Sequence, residues 1–246
     1  MKYEIDFHCH TIASDGAHTI PHLARMAKER GLGALVVTDH CYSEGSWYAN
    51  KTTLKTLEKE GVELPVPVIL GSEIYTPFGE FLLFGNKVIS NWYFARDKLK
   101  HVLKLFGVTA YWKMFWDYVC CGGAWTAGGI DLDRDLYLDK VGIGTELPYA
   151  MIMCHPGKSE EAYDAFPDEM YRCIHGFEIG NSGDRWDELP GMEGVVDVLR
   201  RKIKKPRELT NSDCHRDGLG QMRNTVEIPD GKELNEGQLI HWLRNK

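Results

Sequence analysis

The sequence lacks any uninterrupted apolar run that approaches the length of a membrane-spanning helix, so we expect no membrane partner. The chain passes directly from Met1 and Lys2 into a strand, without the apolar stretch or cleavage site of a secretory signal, and we therefore expect a cytoplasmic protein. Basic residues are not in excess, because 29 Lys and Arg stand against 36 Asp and Glu, a net charge of −7. That balance disfavours a broad nucleic-acid surface but permits an anionic substrate, because bound divalent metals invert the local charge.

The cysteine pattern gives no sign of a disulfide framework. The seven cysteines are an odd number and contain no CxxC pair, so reduced thiols in a cytoplasmic protein are the better interpretation. Cys9, Cys154 and Cys214 each lie beside a histidine, and strand alternation would turn them towards the core. We interpret all seven as structural, because a buried free cysteine behaves as a small hydrophobic residue.

Strand-like and helical patterns alternate along most of the chain. Residues 19–30 predict a helix between two strands, and the continuous apolar run at 32–37 is typical of a buried parallel strand. Further strands are predicted at 66–70, 80–85, 150–154, 176–181 and 207–211, and further helices at 55–60, 194–204 and 232–246. No repeat, low-complexity tract or linker divides the 246 residues. We therefore expect a single α/β domain over residues 1–246.

Residues 86–146 depart from this alternation and predict a helical, aromatic-rich insertion. Four of the seven tryptophans fall there, and helices are predicted at 98–106 and 109–119. Two interpretations stay open. The insertion packs its own aromatic side chains, or it forms a lid over the mouth of an active site.

The opening segment contains two histidines with the spacing of neighbouring metal ligands. Ile5 and Phe7 are apolar, and His8 and His10 follow two residues apart. In an extended strand, residues i and i+2 point to the same face, so both imidazoles leave the strand side by side. The carboxylate of Asp15 follows on the next loop.

Polar residues of the same kinds recur where other apolar strands end. The set is His8, His10, His40, Glu73, His155, Asp213 and His215, with Asp15 on the first loop. In a barrel-like α/β fold, the carboxyl ends of the strands meet at the face that carries the active site. One such residue alone is more often solvated or hydrogen-bonded structure, but five histidines and three carboxylates indicate metal. These ligands suit zinc, manganese or iron rather than calcium, and eight are enough for two or three ions.

Seven short motifs, in their order, resemble the polymerase and histidinol phosphatase (PHP) family. They are HCH at 8–10, SDG at 14–16, TDH at 38–40, GSE at 71–73, CHPG at 154–157, EIGN at 178–181 and SDCH at 212–215. Together they cover nearly the whole chain. The resemblance implies a distorted (β/α)7 TIM-like barrel with a two- or three-metal centre that hydrolyses phosphate esters.

The resemblance also implies how the ligands are divided. His8 and His10 would hold one metal with Asp213, and Glu73 would bridge. Asp15, His40 and His215 would hold another, and His155 with Glu73 a third. The family often supplies one more His between the GSE and CHPG motifs. Here Glu80 stands near that place, with His101 in the insertion as the other candidate, and this departure leaves the number of metals open.

The predicted chemistry follows from paired metals. Two close ions lower the pKa of a bridging water, so that hydroxide is available at neutral pH, and they neutralise charge on the phosphoryl oxygens. Arg216, Lys158 and Arg185 each follow a motif and are either phosphate clamps or solvated surface charges. Asp39 either orients an imidazole or leaves the site.

The sequence therefore predicts a metal-dependent phosphoesterase that acts on a phosphomonoester of a small metabolite or nucleotide. A nuclease of the same family and a non-catalytic metal-binding relative are the alternatives. Nothing in the sequence indicates an oligomeric state.

Overall fold

The computed structural model describes residues 1–41, 45–120, 147–156, 166, 168–182 and 192–245. The strands are β1 (Lys2–Ile5), β2 (Leu35–Val37), β3 (Val68–Thr76), β4 (Gly79–Phe84), β5 (Ala150–Met153), β6 (Gly176–Asn181), β7 (Arg207–Asn211) and β8 (Asn224–Glu227). The helices are α1 (Ile20–Glu29), α2 (Ser46–Lys59), α3 (Asn86–Met114), α4 (Met192–Lys202) and α5 (Glu236–Arg244). A π-helical turn (Phe115–Cys120) and a 3-10 helix (Asp168–Cys173) complete the described elements. Within these ranges, every helix is too short or too polar to cross a bilayer.

The main sheet has six strands in the order β2-β3-β4-β5-β6-β7, and β1 pairs separately with β8. The β2–β3, β5–β6 and β6–β7 pairs are parallel, whereas β4 is antiparallel to both of its neighbours. The molecule is thus an α/β protein whose main sheet curls into half a barrel. Strand pairing among the described residues does not close a ring, and the complete (β/α)7 barrel stays a prediction.

The residues after β1 lie between the two edge strands of the main sheet. The His10 amide donates to the carbonyl of Cys214 at 2.9 Å, and the Cys214 amide donates to the carbonyl of His8 at 3.1 Å. On the other side, the Thr38 amide donates to the carbonyl of Cys9 at 2.8 Å. These bonds place the HCH motif between the ends of β2 and β7.

Two motif glycines are required by close approach. A Cβ atom at Gly71 would lie 2.7 Å from the ring of Phe84 on the neighbouring strand. A Cβ atom at Gly16 would clash with the backbone carbonyl of His10. Both glycines therefore let the backbone of a motif pack directly against the element beside it.

The hydrophobic core lies beneath the carboxyl ends of these strands. Alternate residues in and directly before the strands supply it, including Ala34 and Val36, Leu82 and Phe84, and Ala150 and Ile152, all of which are fully buried. Because alternate side chains point to opposite faces, the positions between these core residues do not enter the core, and polar side chains can occupy such positions where the strands end. The strands that deliver the functional residues are thus anchored by the hydrophobic core.

The described chain divides into two compact units, Met1–Phe84 with Ala150–Lys246, and Gly85–Tyr149. In the second unit, α3 carries a break at Gly107, whose φ is 78°, so the two predicted helices form one interrupted element. The ring of Phe115 packs edge-to-face against Trp92 and Trp112 at centroid distances of 5.6 Å and 5.1 Å. Residues 121–146 of the predicted insertion lie outside the described residues, and its role as a lid stays a prediction.

Candidate metal centre

Ligand-type atoms from five chain segments converge where the strands end. They form three groups, in each of which the ligand atoms lie within 4.8 Å of one another. The groups are His8, His10 and Asp213; His10, Asp15, His40 and His215; and His8, Glu73, Cys154 and His155. The structure therefore brings together all eight residues that the strand-end pattern singles out.

The first group is buried at the centre. Oδ1 of Asp213 lies 3.2 Å from Nε2 of His8 and 3.0 Å from Nε2 of His10. The same two nitrogens each lie 3.4 Å from Oε2 of Glu73. One carboxylate oxygen of Glu73 thus faces both histidines of the HCH motif.

The second group is open to solvent on one side. Asp15 places Oδ2 at 3.4 Å from Nε2 of His40 and Oδ1 at 3.4 Å from Nε2 of His215. The Asp15 side chain is 50% exposed and that of His215 36% exposed, whereas His10 is buried. Access from outside is therefore easiest at this edge of the centre.

The third group is built around His155. Its Nε2 lies 3.1 Å from Oε1 of Glu73 and 3.2 Å from Oε2 of Glu80 on β4. Cys154 contributes a buried thiol to the same group, although strand alternation alone predicts a purely structural side chain. His101, the other candidate for the additional ligand, is an exposed residue of α3 in the second unit.

Two members of these groups have unusual backbone geometry. His155 and Asp213 have φ values of 24° and 49°, in the left-handed region that non-glycine residues seldom adopt. Such conformations cost on the order of 1–3 kcal/mol and persist only where the surroundings hold them. His155 lies two residues after the end of β5 and Asp213 two residues after the end of β7, so the backbone turns sharply at the point where it delivers a ligand-type side chain.

Unpaired polar atoms test whether the centre suits a metal. Among the described residues, Nε2 of His8 and Nδ1 of His10 are buried and lack a hydrogen-bond partner. Leaving a buried polar atom unpaired costs about 1–3 kcal/mol. A divalent ion coordinated by these atoms would remove that cost, and imidazole with carboxylate is a ligand set that such ions accept. The donor set therefore fits metal binding.

The pKa shifts of the buried groups also favour the binding of a cation. Burial lowers the pKa of His8, but the carboxylates of Asp213, Glu73 and Glu178 outweigh it and hold that pKa well above its ordinary value. Burial raises the pKa of Glu73, but His8, His155 and His40 outweigh it and hold that pKa well below its ordinary value. The carboxylates are thus ionised and attract positive charge. A metal would take the place of protons on the imidazoles.

Two buried carboxylates that the sequence left without a role support the centre. Glu178, in the EIGN motif, lies 2.9 Å from Nδ1 of His8 and accepts a hydrogen bond from the His155 amide at 2.8 Å. Asp6 accepts from the amides of Ser212 at 3.0 Å and Gly220 at 2.8 Å, and burial raises its pKa to about 6. Each acid stands between two apolar residues, Asp6 directly after β1 and Glu178 within β6, and this burial among apolar neighbours is the local signal.

Asp39 turns away from the ligand groups and holds the loop that carries Asp15. Its carboxylate accepts hydrogen bonds from the amide and the hydroxyl of Thr11, both at 2.6 Å, and from the side chains of Ser14 and Asn50. It positions the SDG motif, so of the two roles predicted for Asp39 the structure favours departure from the metal site.

The predicted phosphate clamps are only partly described. Arg216 is exposed on the loop after β7, next to His215. Lys158 and Arg185 lie outside the described residues. A clamp role for any of the three stays a prediction.

Part of the chain is similar to a known protein family. Residues 6–115 match the PHP domain family model. No curated protein matches the chain.

Three solved structures resemble the chain at low sequence identity. The first is a two-domain protein from Bacteroides vulgatus containing a predicted PHP-like metal-dependent phosphoesterase, with 18% identity and a TM-score of 0.49 over 88% of this chain and 53% of that one. This chain thus spans about half of that protein's length. The second, from Bifidobacterium adolescentis, is provisionally assigned as a metal-dependent phosphoesterase, with 18% identity and a TM-score of 0.47 over 97% and 94% of the two chains.

The third similar structure is an amidohydrolase from Chromobacterium violaceum with bound sulfate and no metal, with 16% identity and a TM-score of 0.44 over 92% of each chain. The range that matches the family model contains the HCH, SDG, TDH and GSE motifs. Residues 6–115 are therefore similar to the PHP domain family.

Proposed function

We propose that the protein is a metal-dependent phosphoesterase that hydrolyses a phosphomonoester of a small metabolite or nucleotide. One observation carries the proposal. Nε2 of His8, buried and without a hydrogen-bond partner among the described residues, lies 3.2 Å from Oδ1 of Asp213 and 3.4 Å from Oε2 of Glu73. The match of residues 6–115 to the PHP family supports hydrolysis as the reaction class.

The proposed ligands divide among three positions. His8, His10 and Asp213 would hold one ion, with Glu73 bridging; Asp15, His40 and His215 would hold a second; and His155, Glu73 and Glu80 would hold a third. Zinc, manganese and iron are the ions that this mixture of imidazole and carboxylate favours. When bound, such ions lower the pKa of a coordinated water and neutralise charge on phosphoryl oxygens.

The residues at the open edge would receive the substrate. Asp15 and His215 are the most exposed members of the ligand groups, so a phosphate group would approach from their side. Arg216 is exposed beside His215 and would donate charge-assisted hydrogen bonds to the phosphoryl oxygens. Lys158 is proposed for the same task.

The buried residues would keep the reacting groups in place. Glu73 contacts His8, His10, His40 and His155, so its carboxylate would fix four imidazoles at once. We propose that this arrangement sits at the mouth of a distorted (β/α)7 barrel. A small phosphorylated substrate is favoured over nucleic acid, because the net charge of −7 provides no general attraction for a polyanion.

Metal analysis followed by a substrate panel tests the proposal. The purified protein is analysed for bound metal, stripped with a chelator, and reloaded separately with Mn²⁺, Zn²⁺ or Fe²⁺. Phosphate release from a panel of phosphomonoesters is then measured, with Asp213→Asn as the control for contaminating phosphatase. We expect release by the reloaded wild-type protein and none by the variant.

The remaining outcomes separate the alternatives. Turnover of a short labelled oligonucleotide in preference to a nucleotide monophosphate would replace the phosphatase with a nuclease. Protein that binds metal stoichiometrically but releases no phosphate from any compound, with any of the three metals, would indicate a non-catalytic metal-binding relative.

A further inference from the structure

We propose that Glu178 is the positioning residue of the metal centre, which fixes the ring of His8 and the backbone of His155 at the same time. Glu178 lies on β6, is fully buried and belongs to none of the three ligand groups. The inference rests on metal binding as proposed above, but it does not depend on which phosphoester is the substrate.

The surroundings of Glu178 leave only one way to arrange its hydrogen bonds. Oε1 receives Nδ2 of Asn211 at 2.9 Å and faces Nδ1 of His8 at 2.9 Å. Oε2 receives Nδ2 of Asn181 at 3.0 Å and the amide of His155 at 2.8 Å. Three of these four partners are donors that cannot accept, so both oxygens act as acceptors and the side chain is needed as a carboxylate.

This arrangement decides which nitrogen of His8 is available. Because the oxygen of Glu178 accepts, Nδ1 of His8 must carry the proton and donate it. The neutral ring then has its lone pair on Nε2, the atom that faces Asp213 and Glu73. A carboxylate behind a histidine fixes the ring's tautomer and its orientation and raises its basicity towards a metal.

The second oxygen of the carboxylate acts on a different ligand. His155 has a φ of 24°, a strained value, and its amide is tied to Oε2 of Glu178. This bond holds the turn that aims the His155 ring at Glu73 and Glu80. Glu178 therefore links ligands from the segments that follow β1 and β5, which lie 147 positions apart in the sequence.

The carboxylate is itself anchored from outside the centre. Oδ1 of Asn211 accepts hydrogen bonds from the amide of Phe7 at 3.1 Å and from Nδ2 of Asn224 at 3.0 Å, which fixes its amide group so that Nδ2 points to Glu178. The network thus runs from β8 through β7 to β6 and ends on two ligand residues. Such a buried network is rigid only when every member is satisfied.

Replacement of one oxygen by an amide group would break this pattern. In Glu178→Gln, the new NH2 group must face either His8 or the His155 amide, both of which are donors. If it faces His8, the ring can accept only by moving its proton to Nε2, which removes the lone pair that a metal needs. Glu178→Asp keeps two acceptor oxygens but shortens the reach, so it should lose one contact and keep the other.

The test measures metal affinity and the tautomer of His8. Metal-free wild type, Glu178→Gln and Glu178→Asp are titrated with Zn²⁺ in competition with a chromophoric chelator, and melting of the metal-free proteins checks that each is folded. Glu208→Gln is the matched control, because it makes the same change on the adjacent strand β7, where Glu208 pairs with Arg200. The proton on His8 is located by ¹⁵N NMR of the zinc-loaded proteins, with His8→Asn for assignment.

We expect Glu178→Gln to weaken zinc binding about 10- to 100-fold, the range typical of partners that support a metal-bound histidine. Glu178→Asp should be intermediate, Glu208→Gln should match wild type, and wild-type His8 should carry its proton on Nδ1. Equal affinities in wild type and folded Glu178→Gln, or a wild-type proton on Nε2, would overturn the inference. If Glu178→Gln fails to fold, the zinc affinity of Glu178→Asp is compared with wild type instead, and equal affinities would overturn the inference. Wild-type protein that binds no metal would instead contradict the proposed function.

Discussion

Asp213 Oδ1 lies 3.0 Å from Nε2 of His10, a contact that joins residues 203 positions apart and ties the segment after β7 to the segment after β1. Asp213 adopts a φ of 49°, in which aspartate and asparagine are tolerated better than most residues. Its carboxylate also faces His8 at 3.2 Å. Replacing Asp213 with asparagine should therefore remove the negative charge while keeping the backbone conformation.

We predict that Asp213→Asn removes the charge without adding backbone strain and lowers zinc or manganese affinity by at least about 10- to 100-fold. Loss of activity should follow, because asparagine does not replace an anionic ligand. Metal-to-protein ratio after dialysis and phosphate release measure the two effects. Asp217→Asn, an exposed carboxylate on the same loop, should behave as wild type, and metal content equal to wild type in Asp213→Asn would contradict the ligand assignment.

A second prediction concerns the exposed group. Asp15 contacts His40 and His215 at the open edge and takes no part in the group of His8, His10 and Asp213. Asp15→Asn should therefore release one equivalent of metal and leave the buried ions bound with near wild-type affinity. Elemental analysis at increasing chelator concentration measures this. Loss of all metal, or of none, would show that Asp15 does not define a separate position.

The third prediction addresses Glu80. Its Oε2 lies 3.2 Å from Nε2 of His155, where a carboxylate would complete a site with Glu73. Glu80→Gln should remove the ion at His155 and leave the others bound, so the metal-to-protein ratio should fall by one. Glu80→Asp should retain part of this binding because it keeps the charge. If Glu80→Gln has the wild-type metal content, Glu80 belongs to the scaffold.

The α/β class and the convergence of eight polar residues could be predicted because the signals are local. Each such residue stands at or just after a strand, or on the loop that follows, and the strands are apolar runs whose alternation is visible over five or six residues. The outcome for β8 shows the limit of this reasoning. Asn224–Glu227 contains one apolar residue, Val226, and becomes a strand only because it pairs with β1 at the other end of the chain.

The supporting residues could not be assigned for a related reason. Glu178 and His8 are 170 positions apart, and Asp6 reaches Ser212 over 206 positions, so no local pattern shows that they are partners. A buried acid inside an apolar strand is a signal that something must satisfy it, but the sequence does not say what. Only the three-dimensional structure shows which donors the buried acids contact.

His175 provides a group outside the metal centre whose protonation affects stability. Its Nδ1 accepts a hydrogen bond from the amide of Met151 at 3.2 Å, at the junction of β5 and β6. Burial and the positive charge of Arg244 lower the pKa of His175 to about 4. In the unfolded chain the pKa of histidine is about 6.5. As the pH falls below about 6.5, the unfolded state therefore takes up a proton that the folded state excludes until the pH approaches 4.

The last prediction follows from this difference. The stability that neutral His175 contributes is present above about pH 6.5 and is lost as the pH falls towards 4, with about 2 kcal/mol lost by pH 5. His175→Asn keeps an acceptor for the Met151 amide but has no proton to gain, so its free energy of unfolding should fall by about 2 kcal/mol less than that of wild type between pH 7.5 and 5. Urea denaturation of the metal-free proteins at the two pH values measures this difference, and titration of the ligand histidines cancels because it occurs in both proteins.

His241→Asn, at an exposed position of α5, is the control, and its free energy of unfolding should change between the two pH values by as much as that of wild type. An equal loss in wild type and His175→Asn would mean that His175 takes up its proton in the folded protein as readily as in the unfolded chain.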